Sequence, residues 1–322
     1  MYPSVHMTPL MARKTHGSDK GPTHVRQERY FTDPMDVTCI ADVKALLGEG
    51  PHWDPQTSTL SFVDIKGRKL FLLDADGRDL REIPTPFRIG SLIPRASGGH
   101  IAGTEHGIAH VDLALERFEL MFDPEEDRDT NRFNDAKVDR HGRLFAGTMD
   151  DEEKAATGAF YRIDKNLACT RIDDGFRVTN GPAFSPDGRT MYANDSARQV
   201  TYRYDLAPDG TPLNKLELAR YGEGDGYPDG MTVDAEGCLW IAFWDGWCLR
   251  RLSPRGERLA ELRVPVQRPT SCAFGGPSLD RLFITSARIG LTEVDLSAQP
   301  YAGGLFMTMP GVAGIAEQPF AG

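Results

Sequence analysis

Residues 131–150, NRFNDAKVDRHGRLFAGTMD, hold the pattern that decides the fold: a strand-like run carrying polar side chains, a turn rich in Asp and Gly, then a second apolar strand. The same turn-plus-strand unit returns as DPQTSTLSFVD (54–64), SGGHIAGTE (97–105), SPDGRTMYAND (185–195), DAEGCLWIAF (234–243) and PSLDRLFITS (277–286). Taking Leu60, Ile101, Leu144, Met191, Leu239 and Leu282 as equivalent anchors, successive units lie 41 to 48 residues apart, the length of one four-stranded propeller blade. Each unit has a second half, as in GRKLFLLDADGR (67–78), GAFYRIDKNL (158–167), VTYRYDLAPDG (200–210) and CLRRLSPRGERL (248–259), where a strand runs into another Asp- and Gly-rich turn. Helical periodicity is almost absent, which argues against an α/β barrel, and a β-sandwich would not repeat six times. The pattern predicts an all-β chain folded as a six-bladed β-propeller over residues 39–322, its six units filling 41–322.

Working outward, residues 1–38 carry three His, four Pro and no apolar period, and are expected to form a mobile extension. The 322 residues, 40% hydrophobic and 26% charged, suffice for a large core. No apolar run approaches the roughly 20 residues that cross a bilayer, and the start lacks the apolar segment of a secretory signal. A net charge of -10 with no basic block argues against a nucleic-acid partner, since that affinity comes largely from Lys and Arg on phosphates. The five cysteines are odd in number, scattered and free of any CxxC pair, which fits a reducing compartment and makes the cytoplasm the expected location.

Residues 10 to 12 positions before each anchor should begin the innermost strand of each blade, near the mouth of the central channel. They include Glu49, Ser91, Asn134, Asn180, Asp229 and Thr270. Carboxylates and amides there are costly unless something binds them. Glu49, Asn180 and Asp229 supply two carboxylates and one amide oxygen. That donor set suits one hard divalent ion such as Ca²⁺, Mg²⁺ or Mn²⁺, with Zn²⁺ or Fe²⁺ as alternatives, and it leaves coordination positions for water or substrate.

The strings LGEGPHWDP, FVDIKGRKL, NRFNDAKVDRHGRLFAGTMD, TNGPAFSPDGRTMY, PDGMTVDAEGCLWIA, PTSCAFGG and AGGLF, in that order, resemble the regucalcin (senescence marker protein) and gluconolactonase family over residues 41–322. The resemblance implies a six-bladed propeller with one divalent metal on its axis that hydrolyses sugar lactones. It places Glu49, Asn180 and Asp229 as metal ligands. Arg132 and Asn134 match the substrate-contacting arginine and asparagine, and Glu152 falls where some members have a substrate-contacting acid, with the neighbouring acids Asp150, Asp151 and Glu153 as alternatives for that place. Ala136 departs from the family's usual Gly and is expected to reshape the loop slightly. Residues 1–40 have no counterpart.

On this reading the metal is the Lewis acid on the lactone carbonyl. Asp229 is the candidate general base, and water activated by the metal itself is an alternative that needs no separate base. Arg132 and Asn134 orient the sugar, so Arg132→Ala should mainly raise KM while Asp229→Ala abolishes turnover. Asp195 is read as capping its own turn, Trp240 as core, and His106 and His110 as structural. No GxSxG or HExxH occurs. A non-enzymatic metal- or ligand-binding propeller, a sensor or scaffold, is the competing reading. Phosphotriester or thiolactone chemistry is a minor third.

Overall fold

The computed structural model describes residues 36–322. The extension expected at 1–38 lies outside the described residues except for its last three. Twenty-four strands form six antiparallel four-stranded sheets arranged as a β-propeller. The first five sheets are each continuous in sequence, at 48–84, 89–122, 131–176, 179–220 and 227–263. Each repeat anchor falls on the second strand of its blade, as Leu60 does on Thr59–Asp64 and Leu239 on Leu239–Trp244. The first strands, Gly48–Asp54, Ile89–Pro94, Asn131–Val138, Thr179–Phe184, Tyr227–Val233 and Pro269–Gly275, contact one another from blade to blade and so ring the axis.

The sixth blade is not built from its repeat alone. Pro269–Gly275, Arg281–Ser286 and Leu305–Thr308 are completed by Thr38–Ala41, which pairs antiparallel with Leu305–Thr308 from the other end of the chain. The propeller therefore starts one residue before the expected boundary at Cys39, and its closure joins both ends of the repeat array. Without this pairing Leu305–Thr308 would be an uncovered edge of a three-stranded blade.

Burial explains why so many strands read as continuous apolar runs. The core consists of six clusters, one in each space between neighbouring blades. Phe145, Phe160 and Phe176 of the third blade, for example, pack on Phe184, Met191 and Tyr204 of the fourth. A sheet covered on both faces needs apolar residues at successive positions rather than alternating ones. Trp240 lies fully buried between the fifth and sixth blades, its indole donating to Asp234 Oδ2 at 3.0 Å. Among the described residues the only α-helix is Glu293–Ala298, started by a capping box at Thr292. None is long and apolar enough to cross a membrane, and no disulfide joins the five cysteines.

Candidate active site

In every blade the inner strand slips register against its neighbour near its start. The slips lie between Glu49 and His52, Ile89 and Ser91, Phe133 and Ala136, Asn180 and Ala183, Pro228 and Met231, and Pro269 and Ser271. A bulge bends a strand and re-aims its side chains. Six bulges at one level release a ring of side chains from the apolar layers between blades. Inner strands approach closely there: a Cβ on Gly90 would meet the Asn134 carbonyl oxygen at 2.2 Å, so only glycine fits. Ala136 sits within its strand rather than in a loop, and its methyl packs with Phe133 and Val138 in the cluster facing the second blade.

The ring positions have divided their roles. Thr270 belongs to the scaffold, donating from Oγ1 to the Gly48 carbonyl at 2.5 Å and tying the last blade to the first. Arg132, Asn134 and Asn180 form a hydrogen-bond chain with one possible direction. Arg132 Nη1 can only donate, and gives to Asn134 Oδ1 at 2.7 Å; Asn134 Nδ2 then gives to Asn180 Oδ1 at 3.0 Å. Asn180 Nδ2 donates to Ser196 Oγ at 2.8 Å, and the Ser196 hydroxyl donates to the Pro228 carbonyl at 2.6 Å. With a pure donor at one end and a pure acceptor at the other, both amides are locked against flipping. Asn194 adds a second tie to the fifth blade, donating to the Asp229 carbonyl at 2.6 Å.

Two carboxylates remain. Glu49 and Asp229 are both buried, and neither makes an ion pair among the described residues. Burial pushes both pKa values above the usual carboxylate range, Glu49 to about 8, and the Glu49 charge raises Asp229 further. Asp135 adds to the repulsion on both. Its own carboxyl, which accepts from the Ala136 and Gly181 amides at 2.8 and 3.1 Å, is driven by burial up to about 6. Among the described residues no three His, Cys, Asp or Glu side chains form a metal cluster on their own; the third donor is the amide oxygen of Asn180. Two desolvated acids of like charge and an amide oxygen fixed in place, all on the inner strands, are a donor set that suits a dication.

The acidic residues expected to offer a substrate-contacting acid follow the third blade's second strand. Glu152 is two-thirds exposed and pairs with Lys154 at 2.7 Å. Its neighbour Asp151 meets Arg132 Nε at 2.7 Å, together with Lys66 and Arg88 at 2.9 and 2.7 Å. These three cations hold the Asp151 carboxyl well below its ordinary pKa despite partial burial. Arg132 is itself buried in this network, so truncating it disturbs the amide chain as well as any substrate contact. Asp195 caps nothing with its side chain; it binds the Arg177 amide and the Arg198 guanidinium, fixing the loop before Asn180. Asp135, Asn194 and Ser196 were not singled out as site residues from the sequence, whereas Asp151 was named there as an alternative to Glu152. The signal that marks Asp135 is its place inside the bulge, one residue after a ring position.

Four likenesses bear on this geometry. A family profile described as "SMP-30/Gluconolactonase/LRE-like region" matches residues 47–288. Regucalcin of Xenopus laevis is 32% identical over 297 residues, covering 89% of this chain and 99% of that protein. The 6-deoxy-6-sulfogluconolactonase of Pseudomonas putida is 35% identical over 287 residues, with coverage of 89% and 99%. The crystal structure of a calcium-binding protein, regucalcin, from Agrobacterium tumefaciens superposes with a TM-score of 0.85 at 29% identity, over 89% of this chain and 98% of that one. A ring of inner-strand oxygens in a six-bladed propeller, matched by that profile across all but one edge of the ring, makes this chain a member of the SMP-30/gluconolactonase family.

Proposed function

We propose that the protein hydrolyses sugar lactones at the start of its inner strands, with a divalent ion held by Glu49, Asn180 and Asp229. The observation that carries this reading is the pair of buried, mutually repelling carboxylates beside an amide oxygen whose orientation is locked. The lactonase named among its relatives supports the substrate class. When bound, the ion supplies positive charge where the lactone carbonyl oxygen becomes negative.

The chain's own residues account for the remaining steps. A carboxylate oxygen of Asp229 takes a proton from the attacking water as the new C–O bond forms, and returns it to the ring oxygen as the ester bond breaks. Arg132 directs Nε and Nη1 into the protein and keeps Nη2 for a sugar hydroxyl. Asn134 is committed to its neighbours on both atoms, so it contributes by fixing Arg132 and Asn180. On the loop at 150–153, Asp151 does the same for Arg132 from the other side, and Glu152, exposed and paired with Lys154, is placed to meet a larger substrate at the rim. Five scattered cysteines, none of them in a disulfide, support a reducing, cytoplasmic setting.

The test is pH-stat hydrolysis of an aldonolactone panel with and without chelator. The expected result is acid release on at least one member, lost on chelation and restored by a divalent ion. No turnover on any member with Ca²⁺, Mg²⁺, Mn²⁺, Zn²⁺ or Fe²⁺ would sink the enzymatic reading in favour of a binding protein. Full activity after stripping would remove the ion from the reaction.

A further inference from the structure

The segment after the last blade closes the other end of the channel. Gly314 bridges Asp234, and the Ala235 amide donates to the Ala313 carbonyl at 2.9 Å. Arg140 reaches the Ala316 carbonyl at 3.4 Å, Phe320 donates to the Pro94 carbonyl at 2.9 Å, and Ala321 to the Gly142 carbonyl at 2.9 Å. These partners stand at or just beyond the C-terminal ends of the inner strands of the fifth, third and second blades, whereas Glu49, Asn180 and Asp229 stand near the starts of theirs. The tail thus crosses the channel end remote from the carboxylates.

One tail side chain meets a charge from the channel wall. Glu317, 14% exposed, lies with Oε1 3.7 Å from Nζ of Lys137, which is 8% exposed. Lys137 belongs to the third blade's inner strand, two residues beyond Asp135. Its ammonium draws the Asp135 carboxyl down, disfavours a proton on His52 and favours the thiolate of Cys272. Lys137 is therefore a buried cation two residues from Asp135, whose own charge acts on both Glu49 and Asp229, and the Cys272 thiol feels Lys137 and Glu49 together. Charges separated by a protein interior act over such distances far more strongly than through water.

We propose that Glu317 and Lys137 form a buried ion pair that sets the affinity of the hub for its divalent ion. Glu317, delivered by the tail, cancels a lysine charge that otherwise opposes the cation. The inference rests on the reading in which Glu49, Asn180 and Asp229 hold that ion. Glu317 is a positioning residue in this sense: it acts on the ion through Lys137, from the opposite end of the channel.

The experiment is calorimetric titration of the full chain with Ca²⁺ and, separately, Mn²⁺, for the unaltered protein, E317Q, K137M and the double variant. E317Q should weaken binding at least about threefold and K137M should tighten it, because one uncovers a positive charge and the other a negative one. The double variant should return to within about twofold of the unaltered protein. Should K137M fail to fold, E317D decides, since it keeps the charge and should restore the affinity that E317Q loses. Equal affinities throughout, or single variants that shift it in the same direction, would overturn the proposal, because a purely structural pair changes stability without opposite signs in binding. An unaltered protein that binds neither ion overturns instead the ion-site reading beneath it.

Discussion

Asn180 can meet a cation only if its oxygen, not its nitrogen, faces the hub, and Ser196 is what decides this. Removing the Ser196 hydroxyl leaves Asn180 Nδ2 and the Pro228 carbonyl without partners. Ser196→Ala should therefore weaken divalent-ion binding by about tenfold, the usual effect of losing a group that orients a ligand, and titration calorimetry would show it; unchanged binding would mean that Asn134 alone holds the amide. Asp229 lies buried with like charge around it. Asp229→Asn should cost on the order of 10³-fold in kcat. It should also raise the Tm of the metal-stripped protein by at least about 2 °C, because it removes a buried acid that the fold tolerates only by keeping a proton on it; a lower Tm in scanning calorimetry would contradict that account. Glu49, Asn180 and Asp229 were legible in the sequence because they share one position of a repeat. Ser196 and Asn194 were not, since their partners lie 32 and 35 residues away on the next blade and no periodicity marks such a contact.

Among the elements, the second strands were the most readable, since a Gly turn followed by an apolar run recurs with little change. All six anchors fall on them. The bulges were unreadable, because a register slip depends on how a neighbouring strand pairs, and nothing in a single strand's composition records it. The closing strand Thr38–Ala41 escaped notice for a similar reason: four residues, TCIA, adjoin an aperiodic stretch, and their partner Leu305–Thr308 is at the far end of the chain. A chain beginning at Asp42 leaves Leu305–Thr308 as an open edge and uncovers part of the cluster that Ile40 and Ala41 share with Leu60 and Phe283. Thermal unfolding should show that chain melting at least about 5 °C lower and associating as concentration rises. Equal melting temperatures would show that the strand contributes nothing to closure.

Over the whole molecule, the response to acid depends on His52 as well as on the carboxylates. Burial, aided by the Lys137 charge, lowers its pKa from 6.5 to about 4. Between those values the unfolded chain takes up a proton that the folded chain refuses, so stability present above pH 6.5 is lost as pH falls toward 4. The full effect is about 3 kcal/mol. Urea unfolding of His52→Gln should lose less stability than the unaltered protein across that window, and parallel curves would count against it. The overall architecture was legible because a ring repeats itself; the charges that cross the axis were not, because each belongs to a different blade.

The pairing of Thr38–Ala41 with Leu305–Thr308 also has a consequence for biosynthesis. On a ribosome adding about 5–20 residues per second, the early strand emerges roughly 15–50 s before its mate exists. During that interval the nascent chain holds an incomplete circle with two sticky borders, and only translation of the final segment lets it snap shut.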